Sequence, residues 1–593
     1  MKKLFFLLLL PLIATANVTM PIVVTISPIN VATIASRTSG VAPLAVFFDA
    51  SATTEAAFTS RPFHEIQYTW SFGDPVAGAA GSCGTAVVAG EGFWRCGSRP
   101  GANSKNVANG PLAAHVFESP GTYTVCMTAT DGTNTAPASC QTITVTNQNT
   151  VFSANTLCVD SAALPVAGVG GCPAGASVLQ QSSFTTAVQP NIAAKKRILF
   201  NRGGTYTCAG AGPVINADGP GIIGAYGSGA LPIIQATANS SSGCLGLGSA
   251  STASTDWRIM DLQFDGNGNT STIAIAAQGG ALIGLNQILM LRISKINANY
   301  GISFADPAAP YDQIFAVDGN FSQVIGSSSY GCGFIAGKRL AIMGMVCDAT
   351  AAGGVHALRI PHTEKAVITN NNLTGGTFTA LDLLGQIAST NSLTTLVQFS
   401  DNKATGLISV RPQNASTAEI IRDVIIERNW NVFGLSGAGI IVSARETTVR
   451  NNVINMSGGS QHDCVSINQR GIEPVPDQNR VYNVSCFNVD VSANFSGVTL
   501  DANQTNTTVK NLAAYSPNDS VHKAITGTAA IVGGNSSDAQ VLSNSPFNVA
   551  SPVNPVDFRA ANYAIAGGVS VPVWSDFFLV VEPSPRDIGA VIH

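Results

Sequence analysis

The 593-residue sequence predicts an all-β protein in two units, an N-terminal β-sandwich followed by a right-handed parallel β-helix. Three observations predict it. Short runs such as "YTVCMTATDG" (123–132) alternate apolar and polar residues and end on turn dipeptides, the mark of half-buried strands. Further along, an apolar-x-x-Asn string recurs, ending at Asn371, Asn402, Asn429 and Asn452, at intervals of 31, 27 and 23 residues. Unequal spacing suits a solenoid of strands, whose turns can lengthen without disturbing the stack, better than packed helix pairs. Finally, only 11% of residues are charged while 45% are hydrophobic, with 59 glycines. That balance is too apolar for a disordered chain, and the length exceeds one ordinary core.

The chain opens on "MKKLFFLLLLPLIATA". Lys2 and Lys3, an apolar run from Leu4 to Ile13, and Ala14-Thr15-Ala16 read as a signal peptide over 1–16. No later apolar run is long enough for a transmembrane helix. The expectation is a secreted protein with no membrane span, acting as a monomer. Twelve Cys fit an oxidising compartment. They fall in neighbouring pairs, Cys83/Cys96, Cys126/Cys140, Cys158/Cys172, Cys208/Cys244, Cys332/Cys347 and Cys464/Cys486, so local disulfides are expected, although spacing alone leaves the connectivity open. No CxxC pair suggests zinc. A net charge of −4 carries no basic field for nucleic acid.

Residues 17–147 form the predicted sandwich. Tyr123, Val125 and Met127 face its core and Thr124, Cys126 and Thr128 face out. Pro120-Gly121 turns the chain into this strand, and Asp131-Gly132 is read as the hairpin turn after it. "YTWSFGD" (68–74) and "GTYTV" (121–125) together resemble the polycystic-kidney-disease (PKD) domain, an immunoglobulin-like sandwich. The resemblance implies that Trp70 and Phe72 are core residues and that the domain is a spacer or weak binding module. A Gly/Ala/Ser-rich insertion at 75–110 departs from the pattern. "TNQNT" (146–150) reads as the linker.

Residues 151–593 form the predicted β-helix. Leu358/Ile360, Leu381/Leu383, Ile408/Val410, Ile440/Val442, Val465/Ile467 and Val498/Leu500 would stack inside, with coils about 4.8 Å apart. The repeated Asn would sit at bends, tolerating left-handed backbone and bonding to its neighbours above and below. "SSFTTAVQPNIAAKKRILFNRGGTYT" (182–207) reads as an amphipathic cap and first strand. With "GIIGAYGSGALPIIQA" (221–236), "DWRIMDLQFDGNGN" (256–269) and the closing "RDIGAVIH", it resembles the ends of secreted β-helix proteins of the pectin-lyase-like superfamily. That resemblance implies a polysaccharide partner.

Alternation then predicts which residues line the outer face. One column holds Arg359, Asp382, Ser409, Ile441, Ser466 and Thr499. The next holds Pro361, Leu384, Arg411, Ser443, Asn468 and Asp501. Three of seven His lie in these coils. A lyase must neutralise a uronate carboxylate, remove a proton and protonate the leaving oxygen. Arg359 is the candidate neutraliser, and His356, Lys338 or His362 the candidate base. Asp382, Arg411, Ser466, Asn468, Asp501 and His462 are candidate substrate-binding residues. Calcium is the one cofactor left open, and would need Asp348, Asp382 and Glu364 to cluster. A hydrolase would need two carboxyl groups about 5–9 Å apart, from Asp382, Asp463 and Asp501. The polygalacturonase strings Asn-Thr-Asp, Gly-Asp-Asp and Gly-His-Gly are absent, so β-elimination is favoured over hydrolysis. The alternative is a non-catalytic surface adhesin, which thirteen Asn-x-Ser/Thr strings would decorate. Two substitutions follow from the in/out assignment: Arg359→Ala should spare stability, and Ile360→Asp should unfold the stack.

Overall fold

The alternation at 121–130 becomes a strand whose Tyr123, Val125, Met127 and Ala129 are buried while Thr122, Thr124 and Thr128 face solvent. This computed structural model describes most of residues 28–558; residues 1–27, 57–60, 75–105, 559–593 and short stretches between 249 and 554 lie outside it. The signal-peptide expectation, the Cys83/Cys96 pair, His462 and the closing "RDIGAVIH" therefore fall outside the described residues.

Two sheets form the N-terminal sandwich, one of five strands and one of three. Trp70 and Phe72 are buried between them, and the Trp70 indole donates to the Gly110 carbonyl at 2.9 Å. The strand at 121–130 pairs antiparallel with 139–146, and Cys126 is bonded to Cys140 across that pair. The connection is longer than a two-residue Asp-Gly turn. Asp131 closes an eight-residue loop (131–138), accepting from the backbone of Thr133 and Asn134 at 2.8 and 2.6 Å. A carboxylate that satisfies several loop N–H groups stabilises a wider bend than the dipeptide alone implies.

The chain passes through a short helix, Gln148–Phe152, capped by Asn147, and the first solenoid strand begins at Thr156. From there 35 strands among the described residues join one continuous parallel ladder, pairing with the equivalent strand one coil on. Three sheets result. In one coil they are 339–343, 346–348 and 354–360. A cap helix, Phe184–Val188, covers the first coils with Phe184, Ala187 and Val188. The interior is mostly aliphatic and aromatic, with the buried Lys295 in register with Phe264 and Phe321, and the expected pairs from Leu358/Ile360 to Val498/Leu500 are all buried in it. Four disulfides follow within the solenoid, Cys158–Cys172, Cys208–Cys244, Cys332–Cys347 and Cys464–Cys486. Each joins sequence neighbours, as the spacing suggested.

The repeated Asn form a buried ladder at the corner between the first and second sheets. Each amide oxygen accepts from the coil before: Asn371 from Met345 N–H (2.9 Å), Asn402 from Asn371 (2.9 Å), Asn429 from Asn402 (3.0 Å) and Asn452 from Asn429 (2.9 Å). The side-chain NH2 groups of the first three donate to the next amide oxygen, again at 2.9–3.0 Å. The left-handed backbone lies one residue earlier than expected, at Asn370, Asp401, Arg428 and Asn451. The division is physical. The residue before the ladder makes the bend, while the ladder Asn is fully buried and must satisfy both its donors and its acceptor.

The sandwich docks on the outer face of the first sheet. Ala45, Phe47, Phe63, Leu112 and Ala114 pack against Leu289, Leu291, Phe315, Val317, Ala341, Val367 and Ile425. Arg258, fully buried, donates to the carbonyls of Pro43 (2.9 Å) and Val41 (3.0 Å). Lys365 pairs with Asp49, Arg480 with Glu65 at 2.6 Å, and His64 faces Asp423 at 3.3 Å. The sandwich thus covers part of the first sheet and does not pack on the third among the described residues.

Candidate functional site

The third sheet places its side chains by strict alternation. Phe334, Arg359, Asp382, Ser409, Ile441, Ser466 and Thr499 align in one row across consecutive coils. The ladder continues one step on, where Leu384, Arg411, Ser443, Asn468 and Asp501 each donate a backbone N–H to the preceding coil. Both predicted columns are therefore in phase.

At the centre is Asp382, fully buried between two arginines. Its carboxylate lies 3.2 Å from Arg359 Nε and 3.6 Å from Arg411 Nε. These contacts are close enough for ion pairing but poorly aligned for hydrogen bonding. Arg359 Nε, both Asp382 oxygens, Ser409 Oγ and Arg411 Nε are buried atoms without a hydrogen-bond partner among the described residues. Five such atoms on three successive coils form a concentrated polar demand, since buried polar groups are ordinarily paired. Two guanidinium groups against one carboxylate also leave one positive charge in excess.

Aromatic rings flank this centre. The Arg359 guanidinium sits 5.3 Å from the Phe334 ring centre and 5.9 Å from that of Tyr330, and Arg359 Nη1 donates to the Tyr330 hydroxyl at 3.3 Å. Tyr300 lies 5.0 Å from Tyr330. His356 is stacked on Tyr330 at 5.2 Å and on Phe378 at 5.6 Å, and its Nδ1 shares a hydrogen bond with the Thr379 hydroxyl. Burial pulls the His356 pKa down to about 4, with Asp382 opposing and Arg359 and Arg411 reinforcing the shift. The imidazole is therefore neutral at pH 7.

The structure brings His356, Arg359, Asp382 and Arg411 together. Lys338 and His362 belong elsewhere, beyond the far end of the strands. Lys338 pairs with Glu364 at 3.1 Å, both half exposed, and its carbonyl accepts from the Glu364 and Lys365 backbone. His362 is buried against Thr394 (Nδ1 to Oγ1 3.1 Å), and burial lowers its pKa. It lies two residues past the end of the strand Gly354–Ile360 that carries His356.

Ser466, Asn468 and Asp501 share the same face but are remote from Arg359. Ser466 is four coils along, about 19 Å. Ser443 donates to Asn468 at 2.8 Å, and Asp501 accepts from the Gln469 and Asn503 backbone. Thr499 donates to Asp463 at 2.6 Å. Asp348 is held by Thr350 and Glu364 by Lys338, so neither joins Asp382, and no group of three metal-ligating side chains gathers among the described residues. Sequence reasoning passed over the aromatic residues Tyr300, Tyr330, Phe334 and Phe378. The signal for them was present in "SSSYGCGF" (327–334) and "GGTFTA" (375–380), where glycines set bulky rings on the outer side.

With the geometry in place, comparison with known proteins bears on each unit. The PKD domain family matches residues 33–145. A PKD domain forms the N-terminal sandwich. The chain is similar to a solved structure, the family 28 exopolygalacturonase of Yersinia enterocolitica, at a TM-score of 0.38 and 9% identity, over 85% of this chain and 98% of that one. No curated protein matches the chain. No helix among the described residues is long and apolar enough to cross a membrane. The PKD domain sits on the first sheet through its three-stranded side.

Proposed function

We propose that the protein is secreted and binds an extracellular, uronate-containing polysaccharide along the third sheet, cleaving it by β-elimination at Arg359. The observation that carries this reading is the Arg359–Asp382–Arg411 group, two partly exposed guanidinium groups against one buried carboxylate. The exposed parts of the two guanidinium groups would meet a sugar carboxylate, and the excess positive charge favours an anion. Arg359 would neutralise the uronate, and His356, neutral beside it, would take the proton.

The carboxylate positions also favour elimination over hydrolysis. A two-carboxylate hydrolase holds its groups about 5–9 Å apart. Asp463 is three coils from Asp382, about 14 Å along the axis, and three residues back along its strand, about 10 Å, while Asp501 is five residues farther along the neighbouring coil than the partner of Asp463, about 16 Å. Asp382 is also sealed from solvent.

One observation favours a second reading, binding without turnover. His356 is held between two rings and bonded at Nδ1, an arrangement that suits a wall as well as a base. A panel of uronate and neutral polymers decides. Unsaturated ends, seen by ultraviolet absorbance and lost in Arg359→Ala, support elimination. Retention on a polymer with neither unsaturated nor new reducing ends supports the binder. No retention on any polymer removes both.

A further inference from the structure

Phe378 is 58% exposed, the one aromatic ring among the exposed large apolar side chains of the described residues. An exposed Phe at this point of the fold has a specific setting. It ends a column of three rings, Tyr330, His356 and Phe378, each on the coil after the last, with planes inclined by only 16° and 21°. One face of the Phe378 ring is covered by His356. Rings stacked along the solenoid axis turn their other faces along that axis too.

The ladder to the next coil is irregular at this point: the register shifts between Thr374 and Thr379, after which Thr379 pairs with Leu407. Gly406, just before Leu407, has φ +119°, a backbone that favours glycine, and a Cβ there would press on the Ala380 amide at 3.3 Å. Gly406 thus adds no side chain to this stretch of the next coil. Beyond it lie Ser409 and Arg411, with the unpartnered atoms described above. Phe378 is four residues upstream of Asp382, roughly 13 Å along the strand, room for more than one pyranose unit.

The geometry points to Phe378 as a stacking platform for a pyranose ring of the polysaccharide whose neighbouring unit meets Arg359 and Arg411. The apolar C–H face of a sugar lies flat on the ring, as other apolar surfaces do on aromatic faces. The polymer is then held at two chemically different points, an aromatic one that reads ring shape and a cationic one that reads charge. This inference rests on the polysaccharide reading of the same face.

The test uses the full chain with Phe378→Ala, Phe378→Trp and Arg359→Ala, probed with polygalacturonate, alginate and a neutral glucan in affinity gels, and with thermal melts as the control for folding. Phe378→Ala should weaken retention about tenfold with an unchanged melt, the loss expected for one stacked contact. Phe378→Trp should bind like the parent, and its emission should shift to the blue when oligosaccharide excludes water from the indole. Parent-like binding by Phe378→Ala, or an unmoved emission in Phe378→Trp, overturns the platform. If Arg359→Ala loses binding while Phe378→Ala keeps it, only the platform falls. If the parent binds none of the three polymers, the polysaccharide reading falls and the platform with it.

Discussion

Arg359 and Asp382 face each other across adjacent coils at 3.2 Å, one half-buried and the other sealed from solvent. This relationship changes what Arg359→Ala should do. Alternation alone predicts a surface residue whose loss spares stability. The buried carboxylate beside it predicts otherwise, because removing one partner leaves charge uncompensated in the interior. With Arg411 still at 3.6 Å, the loss should be at the low end of the usual range, about 3 kcal/mol or less. Arg359→Met combined with Asp382→Leu should recover most of that stability and still fail to bind polymer. A double variant that binds would remove Arg359 from the site.

The Asn ladder predicts a second, purely structural effect. Asn402 accepts from the Asn371 backbone, and its NH2 donates to the carbonyls of Ile368 and Ser400 as well as to Asn429. Asn402→Ala leaves these groups buried and unpaired. At about 1–3 kcal/mol for each unsatisfied group, chemical denaturation should show a loss of roughly 3 kcal/mol. A change under about 0.5 kcal/mol would mean that the ladder is incidental.

Ile360→Asp tests the phase of the stack. Ile360 is fully buried in the interior and pairs with Leu383 of the next coil. A carboxylate there would be buried among aliphatic side chains, so the variant should be recovered unfolded or insoluble. Folded, soluble Ile360→Asp would shift every in/out assignment of the third sheet by one residue.

How much of this was legible in the sequence follows from particular residues. The columns through Arg359 and Asp382 were readable because the third sheet has one wet face, so polar and apolar residues alternate strictly at 358–360, 381–383 and 408–410. The aromatic column was not, because the register shifts between Tyr330 and Gly333 and between Thr374 and Thr379 break the count that alternation relies on. His362 and Lys338 looked close to Arg359 in sequence, but an extended strand carries neighbours apart faster than a helix would. Docking of the PKD domain left a trace that was overlooked. "ILML" (288–291), "IFAV" (314–317) and "VII" (424–426) are continuous apolar runs, the pattern of strands buried on both faces.

Acid should weaken the protein through its buried histidines. His356 and His64 both have pKa values lowered by burial, His356 to about 4. A histidine near its ordinary value of about 6.5 takes up a proton in the unfolded chain before the folded one does. The stability each contributes is complete above about pH 6.5. It falls as pH drops toward the folded value, by at most about 1.4 kcal/mol per pH unit for each group. Thermal melts between neutral and mildly acidic pH should therefore decline less steeply in His356→Asn than in the parent. Parallel curves would show that His356 is not held neutral by its ring stack.

The last prediction concerns docking of the PKD domain. Arg258 reaches from the first sheet to the carbonyls of Val41 and Pro43, and burial lowers its pKa to about 10, so it stays charged at pH 7. Its charge is matched by Asp256 at 3.0 Å, which also pairs with Arg37 at 2.7 Å. Two protein units held by such contacts and by the Phe47–Phe315 apolar surface should act as one body. A protease site inserted at 146–150 checks this in the full chain. After cleavage the two pieces should travel together in gel filtration, and the Arg258→Met variant should let them separate more readily by exposing two carbonyls that have lost their donor. Pieces that part at once in the parent protein would make the PKD domain a tethered spacer rather than a fixed cover for the first sheet.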